Sequence, residues 1–171
     1  MAATSKAANR ISDTVWQLIS DGVSNPSSDA HWPMFATTDH ADPASPNVRT
    51  VVLRAASETA HWLQIHSDDT GALVADLRAN PNAMIAFYDK QTRCQVRAKG
   101  EVSIYNQTDL AALCWDNLST RQRQDYTGPG SFTVLRLVVS TIDFLDLSQS
   151  IEQTARLDYR VDPMTISSPK P

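Results

Sequence analysis

Apolar and polar residues in this chain alternate mostly with the period of two that strands require, interrupted by stretches with helical spacing. The first helical stretch brings Ile11, Val15, Leu18 and Ile19 onto one face, with Ser12 or Asp13 near its start and Gly22 placed to end it. Residues 1–6 before it predict a disordered leader. After a polar loop at 24–29, the run 32–38 predicts a first strand, and 39–47, with two prolines, a loop or hairpin turn. A second strand is predicted over 49–55 and a third over 61–66. A short helix follows at 72–79, with Asp69 or Thr70 as its cap and Asn80-Pro81 as its stop.

The next run, 83–88, has almost no polar residue and predicts a central strand. Over 93–105 the alternation is explicit: Arg93, Gln95, Arg97 and Lys99 share one face, Cys94, Val96 and Ala98 the other. Leu110, Leu113, Cys114 and Leu118 recur at helical intervals, so 107–119 predicts a helix crossing the sheet. A polar loop with Gly and Pro spans 121–131, a sixth strand 132–139, and 142–147 follows it closely. The remainder is a polar tail. Strands outnumber helices and lie close together, which predicts a mostly β fold, an antiparallel β-barrel with flanking helices. We read residues 1–171 as one domain, with about 1–10 and 163–171 mobile.

Composition narrows the function classes. A formal charge of −4 argues against a nucleic-acid partner. No run approaches 18 apolar residues and the start lacks a basic segment followed by an apolar one, so neither a membrane span nor a secretory signal is expected. Two cysteines, Cys94 and Cys114, in apolar surroundings fit reduced thiols in a cytoplasmic protein.

There is no Gly-rich phosphate loop, and His31, His40, His61 and His66 lack metal-ligand spacing, so no metal site is expected. No serine sits in a nucleophile elbow, and no catalytic residue is assigned. Chemistry borrowed from a redox cofactor needs fewer such groups. The segment 47–54 stands out: its middle is β-branched and apolar, yet Arg49 and Arg54 sit near its ends. Buried strands seldom carry two arginines unless the guanidinium groups reach solvent, carboxylates or an anionic ligand.

Arg49-Thr-Val-Val-Leu-Arg54, then Asn80-Pro81, then Arg93-Cys-Gln-Val-Arg-Ala-Lys-Gly100 resemble, in this order, the motifs of the pyridoxamine 5′-phosphate oxidase-related flavoproteins. Residues 34–38, 132–137 and 142–147 extend the resemblance over about 30–147. It implies an FMN-binding split barrel and a homodimer with the cofactor cleft at the interface. It also implies hydride transfer through FMN to or from an unidentified small molecule. Carried over by position, Arg49, Thr50, Val51, Val52 and Arg54 line the flavin site. His66 and Ser67 stand at the end of the third strand, and Gln95 contacts the flavin. An apolar surplus on 83–87 agrees with a dimer interface.

The chain departs from the family pattern in three places. Where the family has an Arg-Ser-x-Lys-like segment whose cations hold the phosphate, this chain has Thr70-Gly71-Ala72-Leu73, preceded by Asp68 and Asp69. Leu113, Asn117 and Arg121 replace the Tyr, Arg and Ser with which the true oxidase holds its substrate's phosphate. Asp158 stands where a histidine is usual between Arg156 and Arg160. These departures argue against a vitamin B6 oxidase. They leave three alternatives: an FMN-dependent oxidoreductase, a non-enzymatic split-barrel dimer with weakened or lost flavin binding, and a relative taking F420 or haem.

Overall fold

The structure, a computed structural model, describes residues 2–148, 153–160 and 165–167. Its centre is an antiparallel sheet in the order β2(Pro46–Thr50)-β1(Met34–Thr38)-β5(Asn82–Asp89)-β6(Cys94–Asn106)-β7(Phe132–Asp146)-β4(Trp62–Asp68)-β3(Ala55–Ser57). The two ends of this path belong to one stretch of chain. Between β2 and β3 only residues 51–54 intervene, and they stay extended. Val51 and Leu53 donate their amides to the carbonyls of Pro33 and His31, and Arg54 donates to Gln64 of β4. The stretch therefore leaves one neighbour and joins another, linking the two ends of the path into a split barrel.

Period-two alternation decides which side chains fill it. Ile85 and Phe87 of β5, Val96 and Ala98 of β6, and Leu135 and Leu137 of β7 are buried inside. The predicted two-faced strand at 93–105 is β6, with Cys94, Val96 and Ala98 inward and Arg97 and Lys99 exposed. β5 lies between β1 and β6, as its lack of polar residues predicts. Its outward side chains are Met84, Ala86 and Tyr88.

Residues 132–147 form one strand rather than two. Lys99 pairs with Thr141 and Gly100 with Val139, which leaves Ser140 as an extra residue. This β-bulge interrupts the pairing of β7, and the sequence reads it as a break. Gly100 is required there, because a Cβ on it would lie 1.8 Å from the Val138 carbonyl oxygen.

α1(Ala2–Ser24) begins well before its apolar repeat and runs past Gly22. Gly22 does not end the helix. It admits the short 3-10 turn Asp29–His31, whose Ala30 carbonyl oxygen would lie 2.5 Å from a Cβ at position 22. Val15, Trp16 and Ile19 seal the helix onto the barrel. α2(Ala72–Ala79) matches its prediction, but its cap is Gly71, which makes no side-chain capping bond. The predicted helix at 107–119 is α3(Asp109–Asp116), and a separate short helix, α4(Thr120–Arg123), follows it. Ser119 and Gln122 form a capping box that starts α4 inside the stretch read as loop.

The tail read as polar contains two more strands, β8(Gln153–Asp158) beside β7, and β9(Thr165–Ser167) beside β8. The rest of 161–171 lies outside the described residues.

Candidate functional site

Seven of the eight residues singled out in the sequence line one cleft of about 450 Å³: Arg49, Thr50, Val51, Val52 and Arg54, with His66 and Ser67 from the end of β4. The wall opposite is the start of α2, Gly71 to Leu73, and the loop carrying Asp125 and Tyr126 closes one side. The helix start matters because its first amides, those of Ala72 and Leu73, have no carbonyl one turn back to bond. Gly71 brings no side chain over them, so they and the positive end of the helix dipole face the cleft. Leu73, at a place where the family pattern has a cation, belongs to the hydrophobic core.

The two arginines have different environments. Arg49 donates from Nη2 to Oδ2 of Asp76 at 3.0 Å and from Nη1 to Thr37 Oγ1 at 3.4 Å. Asp76 comes from the barrel-facing side of α2 and its side chain is fully buried, 0% exposed. Its Oδ1 accepts from the His40 amide (3.0 Å) and His40 Nδ1 (2.8 Å). Its Oδ2 also accepts from Thr37 (2.9 Å) and Asn47 (3.1 Å). Burial pushes the Asp76 carboxyl up, but the bonds from His40 and Arg49 outweigh it and hold the group well below the usual carboxylate range. Asp39, His40 and Asp76 converge as metal ligands would. However, the Asp76 oxygens are already saturated with hydrogens, one set from a guanidinium, so the cluster serves to hold Arg49.

Arg54 has no carboxylate partner among the described residues. It lies beside Tyr126 and His66: burial raises the Tyr126 phenol while Arg54 lowers it, and burial together with Arg54 lowers His66 to about 4. The His66 imidazole is therefore neutral at ordinary pH, and its tautomer follows from its neighbours. Arg136, stacked 4.2 Å over the Trp62 ring, donates from Nε to Gln64 Oε1 at 2.9 Å. An arginine has only donors, so Gln64 must turn its Nε2 toward His66 Nε2, 3.1 Å away. His66 Nε2 accepts, and the ring proton sits on Nδ1, which is buried with no partner among the described residues.

Asp68 and Asp69, which precede α2, do not line the cleft. Asp68 accepts from Thr70, from the Thr127 amide at 2.9 Å and from Ser131 at 3.0 Å, so it fastens the 127–131 loop. Asp69 pairs with Arg78. The acidic residue that borders the cleft is Asp125, which is exposed and which the sequence reading did not single out. Asp76 was also missed. Its signal was its register: with Leu73, Val74 and Leu77 it occupies the buried side of α2, where an aspartate implies a partner.

Gln95 lies apart from this cleft. It lines a second cavity of about 580 Å³ on the outer sheet face with Trp32, Met34, Tyr88 and Lys90, and Thr50 borders both cavities. Arg54 and His66 also border a third, of about 420 Å³, with Gln64, Cys114, Asn117 and Gln122. Of the positions matching the oxidase's substrate grip, Asn117 alone lines that cavity. Leu113 is 62% exposed and Arg121 is at the surface. Arg156 is committed to Asp143, with Nε–Oδ1 at 2.6 Å, and Arg160 pairs with Asp158. Neither arginine lines the flavin-like cleft.

The cleft presents the Arg54 guanidinium and the first amides of α2 as donors, with the Ser67 hydroxyl, which itself donates to the Asp68 carbonyl oxygen at 3.4 Å, beside them. Such a set fits an acceptor-rich ligand with a sugar-like or phosphorylated tail, and so fits a flavin. It contains no hydrogen-bonded nucleophile–base pair among the described residues. The fold and site together define an antiparallel split barrel with a donor-lined cleft.

The family follows from comparison with known proteins. The family model described as pyridoxamine 5′-phosphate oxidase, FMN-binding domain, matches residues 13–106, more than half of the chain, and the chain belongs to that family. No curated protein matches it. Among solved structures, a pyridoxamine 5′-phosphate oxidase-related, FMN-binding protein from Nostoc punctiforme PCC 73102 superposes with a TM-score of 0.78 at 19% identity, covering 93% of this chain and 96% of its own. PhzG from Burkholderia lata 383, in complex with tetrahydrophenazine-1-carboxylic acid, gives 0.75 at 12% identity, with 95% and 92% covered. A heme-binding protein from Mycobacterium smegmatis gives 0.53 at 16% identity, covering 88% of this chain and 57% of that one. At these identities the likeness establishes the split-barrel fold. No described helix is long and apolar enough to cross a membrane.

Proposed function

We propose that this protein binds FMN in the cleft between the 49–54 stretch and the start of α2, and that it acts as a flavin-dependent oxidoreductase on a small molecule. The observation that carries this reading is the gathering of Arg49 to Arg54, His66 and Ser67 against the unblocked amides of α2 in one family-matched cleft. Arg54 and the Ala72 and Leu73 amides are placed to hold the flavin's tail, and Thr50 to Val52 to support its ring. When bound, FMN supplies two-electron hydride transfer, chemistry for which the protein needs no nucleophile of its own.

We further propose a two-fold homodimer. Met34 (54% exposed), Val48 (56%) and Tyr88 stand on the outward face of β1, β2 and β5 beside Gln95, an apolar patch whose self-association would bury it. A second copy there would cover the cavity containing Gln95 and bring that residue to the edge of a ring extending past Thr50. The compartment proposed is the cytoplasm, where the free thiols Cys94 and Cys114 would stay reduced.

A second reading, a ligand-binding dimer without catalysis, is favoured by the dispersal of Leu113, Asn117 and Arg121. Titration with FMN, followed by flavin fluorescence and absorbance near 450 nm, tests binding. Arg54→Gln should weaken it about 10- to 100-fold, the loss of one hydrogen-bonded charge. Unchanged affinity in a folded Arg54→Gln protein refutes the placement. A haem band in place of flavin binding would shift the assignment to a haem binder. Turnover of bound flavin by candidate reductants separates enzyme from binder.

A further inference from the structure

We propose that Asp76 sets the charge of the ligand this cleft accepts: by holding Arg49, it makes the phosphate of a flavin contribute little, so that riboflavin and FMN bind alike. The inference rests on the flavin reading above and concerns which flavin the cleft prefers.

The argument is an accounting of charge around the cleft. Two arginines line it, but the Arg49 guanidinium already donates to a carboxylate that is 0% exposed. An ion pair of this kind is kept intact by the penalty of leaving a buried charge without its counter-charge. The Arg49 charge is therefore already balanced by Asp76, and turning it to a phosphate would give up the only guanidinium bond this carboxylate has among the described residues. His40, Thr37 and Asn47 also donate to the same carboxylate, so its position is fixed from three elements: β1, the β1–β2 loop and β2. Arg54 remains as the cation in the cleft with no carboxylate partner among the described residues. Asp125 borders the same cleft, and His66 beside Arg54 is neutral. A phosphate carrying nearly two negative charges would meet one cation without a carboxylate partner, with an acidic residue at the border of the cleft. A ribityl tail ending in a hydroxyl would satisfy the helix amides and Ser67 without that imbalance.

Asp76→Asn removes the buried charge while keeping its shape, and releases the Arg49 guanidinium toward the cleft. The test is equilibrium titration of the purified protein and of Asp76→Asn with FMN and with riboflavin, read by flavin fluorescence, with circular dichroism confirming the fold. Wild type should bind the two flavins within about tenfold of each other. In Asp76→Asn, FMN should tighten by about tenfold or more and riboflavin should stay within about threefold, the contrast expected of one added charge-assisted bond. The wild-type ratio decides the matter even if Asp76→Asn proves too unstable to purify. A wild-type preference for FMN above about tenfold overturns the proposal. So does a folded Asp76→Asn protein with an unchanged ratio, or equal gains for both flavins. Binding of neither flavin to wild type has a different meaning: it overturns the flavin reading itself, and the role of Asp76 with it.

Discussion

The most quantitative consequence of the structure concerns His66. In an unfolded chain its imidazole takes a proton near pH 6.5, whereas in the folded protein burial and the nearby Arg54 lower this to about 4. As pH falls between these values, the unfolded chain gains the proton first. Stability is therefore complete above about pH 6.5, declines as pH drops toward 4, and levels off below that. At about 1.4 kcal/mol per pH unit, the interval corresponds to a loss of about 3 kcal/mol. The carboxylates held low, such as Asp76, act in a separate window: the stability they contribute is present above about pH 4 and is lost below it. Urea unfolding at about pH 7, 5.5 and 4.5, compared between wild type and His66→Phe, isolates the histidine contribution. Long-range proton–nitrogen NMR reports the ring directly. It should show a neutral imidazole protonated on Nδ1 at pH 7 and 5.5, and Arg136→Met, which frees Gln64 to rotate, should disturb that tautomer. An imidazole titrating near 6.5, or one protonated on Nε2, would refute both the burial argument and the Arg136–Gln64–His66 chain.

Two further outcomes are expected. Gly100→Ala puts a methyl group 1.8 Å from the Val138 carbonyl oxygen, so it should cost more than about 3 kcal/mol, seen as a lowered urea midpoint; a variant as stable as wild type would mean the bulge is not where it is placed. Light scattering should return twice 18.8 kDa at micromolar concentration, and Met34→Lys with Met84→Lys should halve it; a wild-type monomer refutes the interface.

Local pattern determined a good deal of this protein. Strands with explicit alternation, such as 93–105, and helices with a clear stop, such as 72–79, were legible because backbone preference and burial act on neighbouring residues in the chain. The ordered motifs from Arg49 to Gly100 also made the family legible, and with it seven residues that the fold gathers into one cleft. The strand β8 was not legible: Gln-Thr-Ala-Arg-Leu-Asp reads as polar until β7 beside it buries Ala155 and Leu157. Nor was the continuity of β7, since the bulge at Ser140 exists only in relation to the opposing Lys99 and Gly100. The electrostatics of the cleft depended most on tertiary structure. Arg49 and Arg54 are equal cations in the sequence, and Asp68 and Asp69 are the carboxylates nearest the helix start. Folding pairs Arg49 with Asp76, 27 residues away, ties Asp68 to the 127–131 loop, and brings Asp125 to the cleft instead. Charge interactions depend on distance and burial rather than on order along the chain, so only the closed barrel could decide which cation was left to meet a ligand.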